Sequence, residues 1–157
     1  MIPVERSNAD LLIRPVQVSD QAEWLRMRLA LWPDDSLAEH VHEMNAISAD
    51  FSRQPVFVAE APAGGLCGLL EVAIRTSAEG CATDNIGYLE GWFVDAAWRG
   101  QGVGRALVAA AEAWARTQGC TEMASDTNLD YPLSPLAHAR LGYQETSLRF
   151  HYRKDLI

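Results

Sequence analysis

A run of glycines between a strand-like segment and the longest amphipathic helix constrains the fold most. Residues 98–106 read Trp-Arg-Gly-Gln-Gly-Val-Gly-Arg-Ala. They follow a predicted strand at residues 86–94 and open a predicted helix at residues 102–118. Glycines at such a junction remove side chains between the backbone and a ligand, so that N–H groups and the positive end of the helix dipole face one anion. The pattern predicts a phosphate-binding turn, and the alternative is a helix start without a ligand.

The position of this turn in the chain excludes two other phosphate-binding motifs. A dinucleotide-binding turn follows the first strand, with an acidic residue about 20 positions later, whereas this turn follows four predicted strands. A P-loop ends in Gly-Lys-Ser or Gly-Lys-Thr, and this sequence has no such ending.

The remaining periodicity predicts alternating strands and helices. Capping-box spacing at Asp20 and Glu23, and again at Ser36 and Glu39, starts the first two helices. A last short helix is predicted at residues 132–141. Strands are predicted at residues 11–16, 55–60, 67–75, 86–94, 120–125 and 143–152. This order predicts a mixed sheet with helices on both faces, in one α/β domain over residues 1–157.

Charge and cysteine content limit the possible partners. The chain has 13 Lys and Arg against 21 Asp and Glu, a formal net charge of −8. This balance argues against nucleic acid and fits a cationic partner, although acidic chains can also simply be well hydrated. No apolar run is long enough for a membrane span. Three cysteines without CxxC spacing predict no metal site and no disulfide, and favour a reducing cytoplasm.

The glycine turn resembles a known signature. The pattern Arg99-x-x-Gly102-x-Gly104, with a strand before it and a helix after it, resembles the acetyl-CoA pyrophosphate signature of the GNAT superfamily. The order of predicted elements is similar as well. The resemblance implies the GNAT fold: a mixed, mostly antiparallel sheet of six to seven strands, splayed in the middle and flanked by about four helices. It also implies acetyl-CoA as cosubstrate and no metal.

By this resemblance, coenzyme A lies against the end of the fourth strand, the turn and one tyrosine. The implied contacts are Trp92, Phe93, Val94, Arg99, Gly100, Gln101, Gly102, Val103, Gly104, Arg105 and Tyr131. Tyr131 stands where many relatives carry asparagine. The backbone N–H of Val94 would face the developing oxyanion, and no cysteine lies in a nucleophile setting, so direct attack on the thioester is expected.

Four further segments narrow the resemblance. Residues 27–34, 88–94, 121–126 and 138–146 are similar to the aminoglycoside 6'-N-acetyltransferases, and together they reach from the first helix to the last predicted strand. This implies a small polycationic acceptor, antibiotic resistance as the role, and a possible homodimer through an exposed strand edge.

Three residues are candidates for the acceptor site. Glu90 interrupts an apolar strand, where a charge needs a partner. It is interpreted as a carboxylate that binds or deprotonates the acceptor amine, and the alternative is an outward-facing glutamate. Asp126 ends a strand and is a second candidate base, or a turn or helix-cap aspartate. Trp32 either lines the acceptor site, where its ring can stack on a sugar or a cation, or continues the apolar stripe of the first helix.

His138 is a candidate general acid. Many GNAT enzymes place a tyrosine five residues before the aromatic that follows Leu-Gly, and Tyr143 is that aromatic here. The resemblance implies that His138 protonates the departing thiolate of coenzyme A, and the alternative is a histidine that packs beside the cofactor.

The sequence departs from the subfamily pattern at two places that bear on which acceptors can bind. Residues 76–80 contain no aromatic where relatives often have tyrosine, and some relatives carry a carboxylate near Ser147. Acetylation of another amine or of a protein N-terminus is therefore an alternative, and so is a non-catalytic acyl-CoA-binding domain.

Overall fold

A five-stranded mixed sheet forms the centre of the structure, a computed structural model that describes residues 11–128 and 130–156. The first four strands pair antiparallel, and the fifth lies parallel to the fourth. In order across the sheet they are β1 (Leu12–Pro15), β2 (Val56–Glu60), β3 (Leu66–Arg75), β4 (Ile86–Val94) and β5 (Glu122–Ser125). The mixed, mostly antiparallel sheet is as predicted.

Helices cover both faces of this sheet, which confirms the predicted layering. They are α1 (Gln21–Leu31), α2 (Leu37–Ser48), α3 (Val103–Thr117) and α4 (Ser134–Arg140). Side chains of a strand alternate between faces, so Leu70 packs with α3 residues such as Leu107, whereas Leu69 packs with Trp24 and Met44 of α1 and α2. The core is therefore two apolar layers, one on each side of the sheet.

The sheet splays between β4 and β5, as predicted. Parallel pairing runs from Ile86 to Leu89 on β4 and reaches Ser125 on β5. Beyond that point β4 continues to Val94, paired with β3 alone among the described strands. Two neighbouring elements of one sheet thus diverge, which leaves one edge of the end of β4 open.

A β-bulge sits where the splay begins. On β3, Glu71 and Val72 are consecutive, but their partners on β4 are Gly91 and Leu89, so Glu90 is the extra residue. A bulge bends its strand and redirects the side chain of the extra residue. The bulge therefore sets where the Glu90 carboxylate points.

The strand predicted at residues 143–152 is wrong, and the sheet has five strands rather than six to seven. The described residues 143–156 form no strand. The alternating residues Leu148, Phe150 and Tyr152 are 70%, 72% and 91% exposed. A strand needs a partner for its backbone groups and a surface for its apolar face, and alternation alone provides neither.

Local cap signals are right for one helix and wrong for the other. The Ser36 hydroxyl accepts the N–H of Glu39 at 3.2 Å, and the Glu39 carboxylate accepts the N–H of Ser36 at 2.7 Å, which confirms the second box. The Asp20 side chain makes no cap bond to α1. It accepts from the Arg14 guanidinium at 2.6 and 3.0 Å, because a charged partner binds a carboxylate more strongly than a cap N–H.

No helix in the described ranges has both the length and the apolar character that a bilayer span requires. The expectation of one domain takes in residues 1–10, which lie outside the described residues.

We expect Asp20→Asn to lower the unfolding free energy at pH 7 by about 1–3 kcal/mol, the cost of losing a charged, largely buried hydrogen bond. Hydrogen bonding to Arg14 lowers the pKa of Asp20 in the folded state. The stabilisation is therefore present above the unfolded pKa of about 4 and is lost as the pH falls through the lower folded pKa.

Urea unfolding at pH 7 and pH 3 measures this loss. The difference in unfolding free energy between wild type and variant should be smaller at pH 3. Asp155→Asn, in an exposed pair with Arg153, is the control and leaves stability unchanged. Equal stability of wild type and Asp20→Asn at pH 7 contradicts the prediction.

Candidate active site

The glycine turn has the backbone conformation that only glycine adopts without strain. Gly100 and Gly102 have φ of +73° and +85°, and Gly102 is the N-cap of α3. The first helical bond of α3 joins the Ala106 N–H to the Gly102 carbonyl, so the three N–H groups between them are free of helical partners. These N–H groups and the helix dipole form a site for an anion.

Close packing places this turn against the open end of β4. A Cβ built at Gly104 would stand 2.9 Å from Cζ2 of the Trp92 indole, so a larger residue would push α3 away. Val103 is buried in the core, and only its backbone can face a ligand. Trp92, Phe93 and Val94 all lie on β4 beyond the splay, next to the turn.

The polar side chains of the turn fold back onto the preceding residues. Arg99 Nε donates to the Val94 carbonyl at 2.9 Å, and Gln101 Nε2 donates to the Ala97 carbonyl at 2.8 Å. The guanidinium has five donors, so Arg99 keeps others for an anion. Arg105 is exposed on the first turn of α3, where its charge can add to the same field.

A cluster of four side chains, here called the acidic cluster, lies where β4 and β5 diverge. It consists of Arg75, Tyr88, Glu90 and Asp126. Arg75 Nε and Nη2 donate to the two oxygens of Glu90 at 2.8 and 2.6 Å, and the Arg75 guanidinium lies 3.5 Å from the Tyr88 ring centroid. The structure thus places Glu90 in a bidentate pair and near the second predicted carboxylate.

Tyr88 connects the two carboxylates. Burial raises the pKa of the Tyr88 phenol to about 12, and the charge of Asp126 and its hydrogen bond with Tyr88 add to the rise. The phenol therefore keeps its proton near neutral pH and donates a hydrogen bond to Asp126. Sequence reasoning missed Arg75 and Tyr88. Their positions could have indicated them, because Tyr88 lies on β4 two residues before Glu90, and Arg75 is the last residue of β3, which pairs with β4.

Trp32 stands at the end of α1, against the bulged strand. A Cβ built at Gly91 would come within 3.0 Å of Cζ2 of the half-buried indole, so glycine makes room for the ring beside Glu90. The Arg28 guanidinium lies 4.7 Å from the centroid of the Trp32 ring. The His40 ring stacks on the Trp32 ring, with 6.5 Å between the two centroids. Trp32 thus packs on a polar group of side chains rather than deep in the apolar core.

That polar group is a buried ion-pair network, which sequence reasoning missed. Arg28 and Glu71 are 1% and 4% exposed, and Arg28 Nη1 donates to both Glu71 oxygens at 2.6 and 2.7 Å. Trp24 Nε1 donates to Glu71 at 2.7 Å, and Arg28 Nη2 pairs with Glu43. Glu71 lies opposite Gly91 in the register, so the network sits directly behind the bulge.

His40 connects this network to Trp32. Arg28 Nε donates to His40 Nδ1 at 3.3 Å, so Nδ1 carries no proton. His40 Nε2 lies 3.1 Å from the Trp32 carbonyl, to which it donates. The fully buried ring is therefore the Nε2–H tautomer, and it fixes the end of α1.

His138 lies on α4 and faces β4 and β5. Its Nδ1 is 2.8 Å from the Ser134 carbonyl, and its Nε2 is 2.8 Å from the Ser125 hydroxyl. The rings of Trp92 and Tyr143 meet it edge-on, with centroids 5.4 and 5.8 Å away. The structure thus brings His138 to the splay, next to the Trp92 end of β4.

Tyr131 lies beside the C-terminal end of α1. Its hydroxyl donates to the Leu31 carbonyl, next to Trp32. Burial raises its pKa, and Asp130, Asp34 and Asp35 raise it further. These carboxylates form an acidic rim near Trp32. Contact of Tyr131 with coenzyme A stays a prediction, as do the ligand roles of the other site residues.

Within the described part of the chain, no group of three or more His, Cys, Asp or Glu side chains is arranged to hold a metal ion.

The splayed mixed sheet, its bulged strand and the glycine turn that follows define an acetyltransferase fold. A sequence profile of the "Acetyltransferase (GNAT) family" matches residues 21–143. The chain belongs to the GNAT acetyltransferase family.

Similar proteins narrow the comparison to one branch of this family. The chain is 46% identical to the aminoglycoside N(6')-acetyltransferase type 1 of Klebsiella aerogenes, over 92% of this chain and 97% of that protein. It is 39% identical to the protein of the same name from Stenotrophomonas maltophilia, over 92% and 93%.

A solved structure of AAC(6')-Iy in complex with the bisubstrate analogue CoA-S-monomethyl-acetylneamine has a TM-score of 0.83 at 33% identity, and the match covers 92% of this chain and 98% of that one. The AAC(6')-Ih structure from Acinetobacter baumannii has a TM-score of 0.84 at 32% identity, over 93% and 99%.

We expect Glu71→Gln to lower the unfolding free energy by about 3 kcal/mol, because it leaves the Arg28 charge buried with a neutral partner. The size and shape of the side chain are kept. Urea unfolding measures the loss. Glu43→Gln is the matched control, since the Glu43 carboxylate is 54% exposed and its loss costs less. Equal losses in the two variants contradict a special role for the buried pair.

Proposed function

We propose that this chain is an aminoglycoside 6'-N-acetyltransferase, which transfers acetyl from acetyl-CoA to the 6'-amino group of the antibiotic and thereby confers resistance. The observation that carries the proposal is that a glycine turn able to bind an anion follows β4, and an acidic cluster lies where β4 and β5 diverge. Near full-length similarity to the aminoglycoside acetyltransferases supports it. We treat residues 1–157 as one catalytic domain.

The glycine turn fits the pyrophosphate of acetyl-CoA. Gly100 and Gly102 leave the backbone open to a ligand, and the N–H groups at the start of α3 supply donors for phosphate oxygens. The open edge of β4 from Trp92 to Val94 offers backbone groups to the pantetheine arm, as for an added strand. Arg99 and Arg105 add positive charge.

The acidic cluster and Trp32 fit a polycationic acceptor. Glu90 is held by Arg75, yet a carboxylate has about four lone-pair positions, so it can accept an ammonium as well. Asp126 supplies a second carboxylate, and the Trp32 ring offers a face to a sugar or a cation. The net charge of −8 raises the local concentration of such a ligand.

The reaction depends on alignment of the two substrates rather than on a covalent acetyl-enzyme intermediate. The acceptor amine attacks the thioester in a ternary complex, after a carboxylate, Glu90 or Asp126, has removed one proton directly or through water. The Val94 N–H stabilises the developing oxyanion. His138, beside Trp92, lies next to the departing sulfur and acts there as the acid.

A homodimer is part of the proposal. The side chains of Leu148, Phe150 and Tyr152 form an exposed apolar surface that a second copy would cover. Light scattering would then give twice the mass of 17.3 kDa, and a monomer mass at micromolar concentration rejects this part. We place the protein in a reducing cytoplasm, which its unpaired cysteines support.

The central test is mass analysis of kanamycin after incubation with the protein and acetyl-CoA. We expect one added acetyl group, and fragmentation places it on the 6'-nitrogen. Faster release of coenzyme A with spermidine or peptides would indicate another amine substrate. Tight binding of acetyl-CoA without transfer to any amine would indicate a binding domain. Either result rejects the proposal.

We expect Gly102→Ala to weaken coenzyme A binding by about tenfold or more, since a Cβ at φ +85° strains the backbone by about 1–2 kcal/mol and turns the N–H groups away. Gly119→Ala is the matched control, because Gly119 follows the other end of the same helix with φ +81°. It carries the same strain and leaves affinity unchanged.

Titration calorimetry with coenzyme A measures both variants. Wild-type affinity in Gly102→Ala would contradict the assignment of the turn.

A further inference from the structure

Ser125 and His138 form a hydrogen-bonded pair whose proton positions follow from their partners. His138 Nδ1 lies 2.8 Å from the Ser134 carbonyl, which only accepts, and 3.2 Å from the Ser134 hydroxyl, which can accept as well, so Nδ1 carries the ring proton. In the neutral ring Nε2 then has a free lone pair. The Ser125 hydroxyl, 2.8 Å away, donates to it. The result is a hydroxyl polarised by an imidazole that a third group orients, which is the arrangement that activates a hydroxyl for proton transfer.

The pair is held rigidly at the splay. Ser125 ends β5 and pairs with Leu89, one residue before the bulged Glu90. The Trp92 ring meets the His138 ring edge-on at 89° and the Tyr143 ring does so at 84°. The Tyr143 hydroxyl in turn donates to the Glu112 carboxylate at 3.0 Å, which fixes the position of the Tyr143 ring beside His138.

The two carboxylates of the site have other partners. Both oxygens of Glu90 accept from Arg75, and Asp126 has the Tyr88 hydroxyl and the nearby Arg75 charge. Such paired carboxylates are suited to bind the ammonium groups of the acceptor. The His138 Nε2 lone pair, by contrast, is already directed at a transferable proton.

We infer that Ser125 is a further catalytic residue, and that the Ser125–His138 pair carries the proton from the acceptor nitrogen to the sulfur of coenzyme A. This rests on the proposed function. As the N–C bond forms, the Ser125 oxygen takes a proton from the substituted ammonium and passes its own to His138 Nε2. As the C–S bond breaks, the His138 imidazolium returns that proton through Ser125 to the thiolate. One proton thus moves from nitrogen to sulfur, and the pair returns to its starting state.

The kinetic test compares Ser125→Ala with Ser125→Thr, which keeps the hydroxyl. With kanamycin and acetyl-CoA saturating, we expect Ser125→Ala to lower kcat by about 10²-fold, the size of an acid–base contribution, with both KM values unchanged. Ser125→Thr restores most of the rate. Ser125→Ala with His138→Gln is no slower than the slower single variant, because both break one relay. Ser48→Ala, exposed at the end of α2, is the control for the substitution itself.

Unchanged kcat in Ser125→Ala overturns the relay, and so does additive loss in the double variant. If wild type acetylates no aminoglycoside, the proposed function fails. The same rate comparison is then made with whichever amine the enzyme accepts, since the relay serves any amine.

A second readout does not depend on activity. Nitrogen NMR of the imidazoles should find His138 with its proton on Nδ1 and His40 with its proton on Nε2, so His40 is an internal reference for the opposite tautomer. Ser125→Ala should shift the His138 Nε2 signal and leave His40 unchanged. A proton on His138 Nε2 in the neutral wild-type ring overturns the relay whatever the turnover.

Discussion

The proposed acceptor side of this protein depends on the buried ion pair between Arg28 and Glu71. Taking two charges out of water costs several kcal/mol for each ion, and only close geometry with satisfied hydrogen bonds offsets it. Here both Glu71 oxygens accept from Arg28, and the remaining Arg28 donors reach His40 and Glu43. One side chain thereby ties α1 to α2 and β3. Trp32, stacked on this network, is held by the same contacts that hold the helices.

The network also faces the bulge in β4, which organises the rest of the site. Glu71 lies opposite Gly91, so the extra residue Glu90 is displaced directly in front of the buried pair. At the bulge the pairing of β4 with β5 stops, so the end of β4 keeps β3 as a neighbour and loses β5. The glycine turn and His138 both contact Trp92 on the open end of β4, whereas the acidic cluster surrounds Glu90 at the bulge. A single irregularity in one strand therefore lies between the proposed cosubstrate surface and the proposed acceptor surface.

The features that the sequence predicts are those with a local cause. The glycine turn, the Ser36 capping box and the apolar face of α3 each depend on residues a few positions apart, and the structure has all three. Long-range partners decide the rest. Asp20 has the spacing of a cap but binds Arg14 from β1, and Glu90 is paired by Arg75, 15 residues earlier. The alternation at residues 143–152 predicts a strand, yet pairing requires a neighbour that lies nowhere in the local pattern.

The charge of the proposed acceptor side favours a polycation over a simple amine. Glu90 and Asp126 contribute two negative charges, and Arg75 cancels one, so the acidic cluster alone attracts a single ammonium only modestly in water. Asp34, Asp35 and Asp130 gather around Tyr131 near Trp32 and extend the negative field beyond the reacting centre. A ligand with several ammonium groups can engage both regions at once, whereas a monoamine engages one. Because exposed charges are screened within about 10 Å at 0.1 M salt, the preference for a polycation should weaken as ionic strength rises, while binding at the glycine turn, supported by fixed backbone donors, should change less.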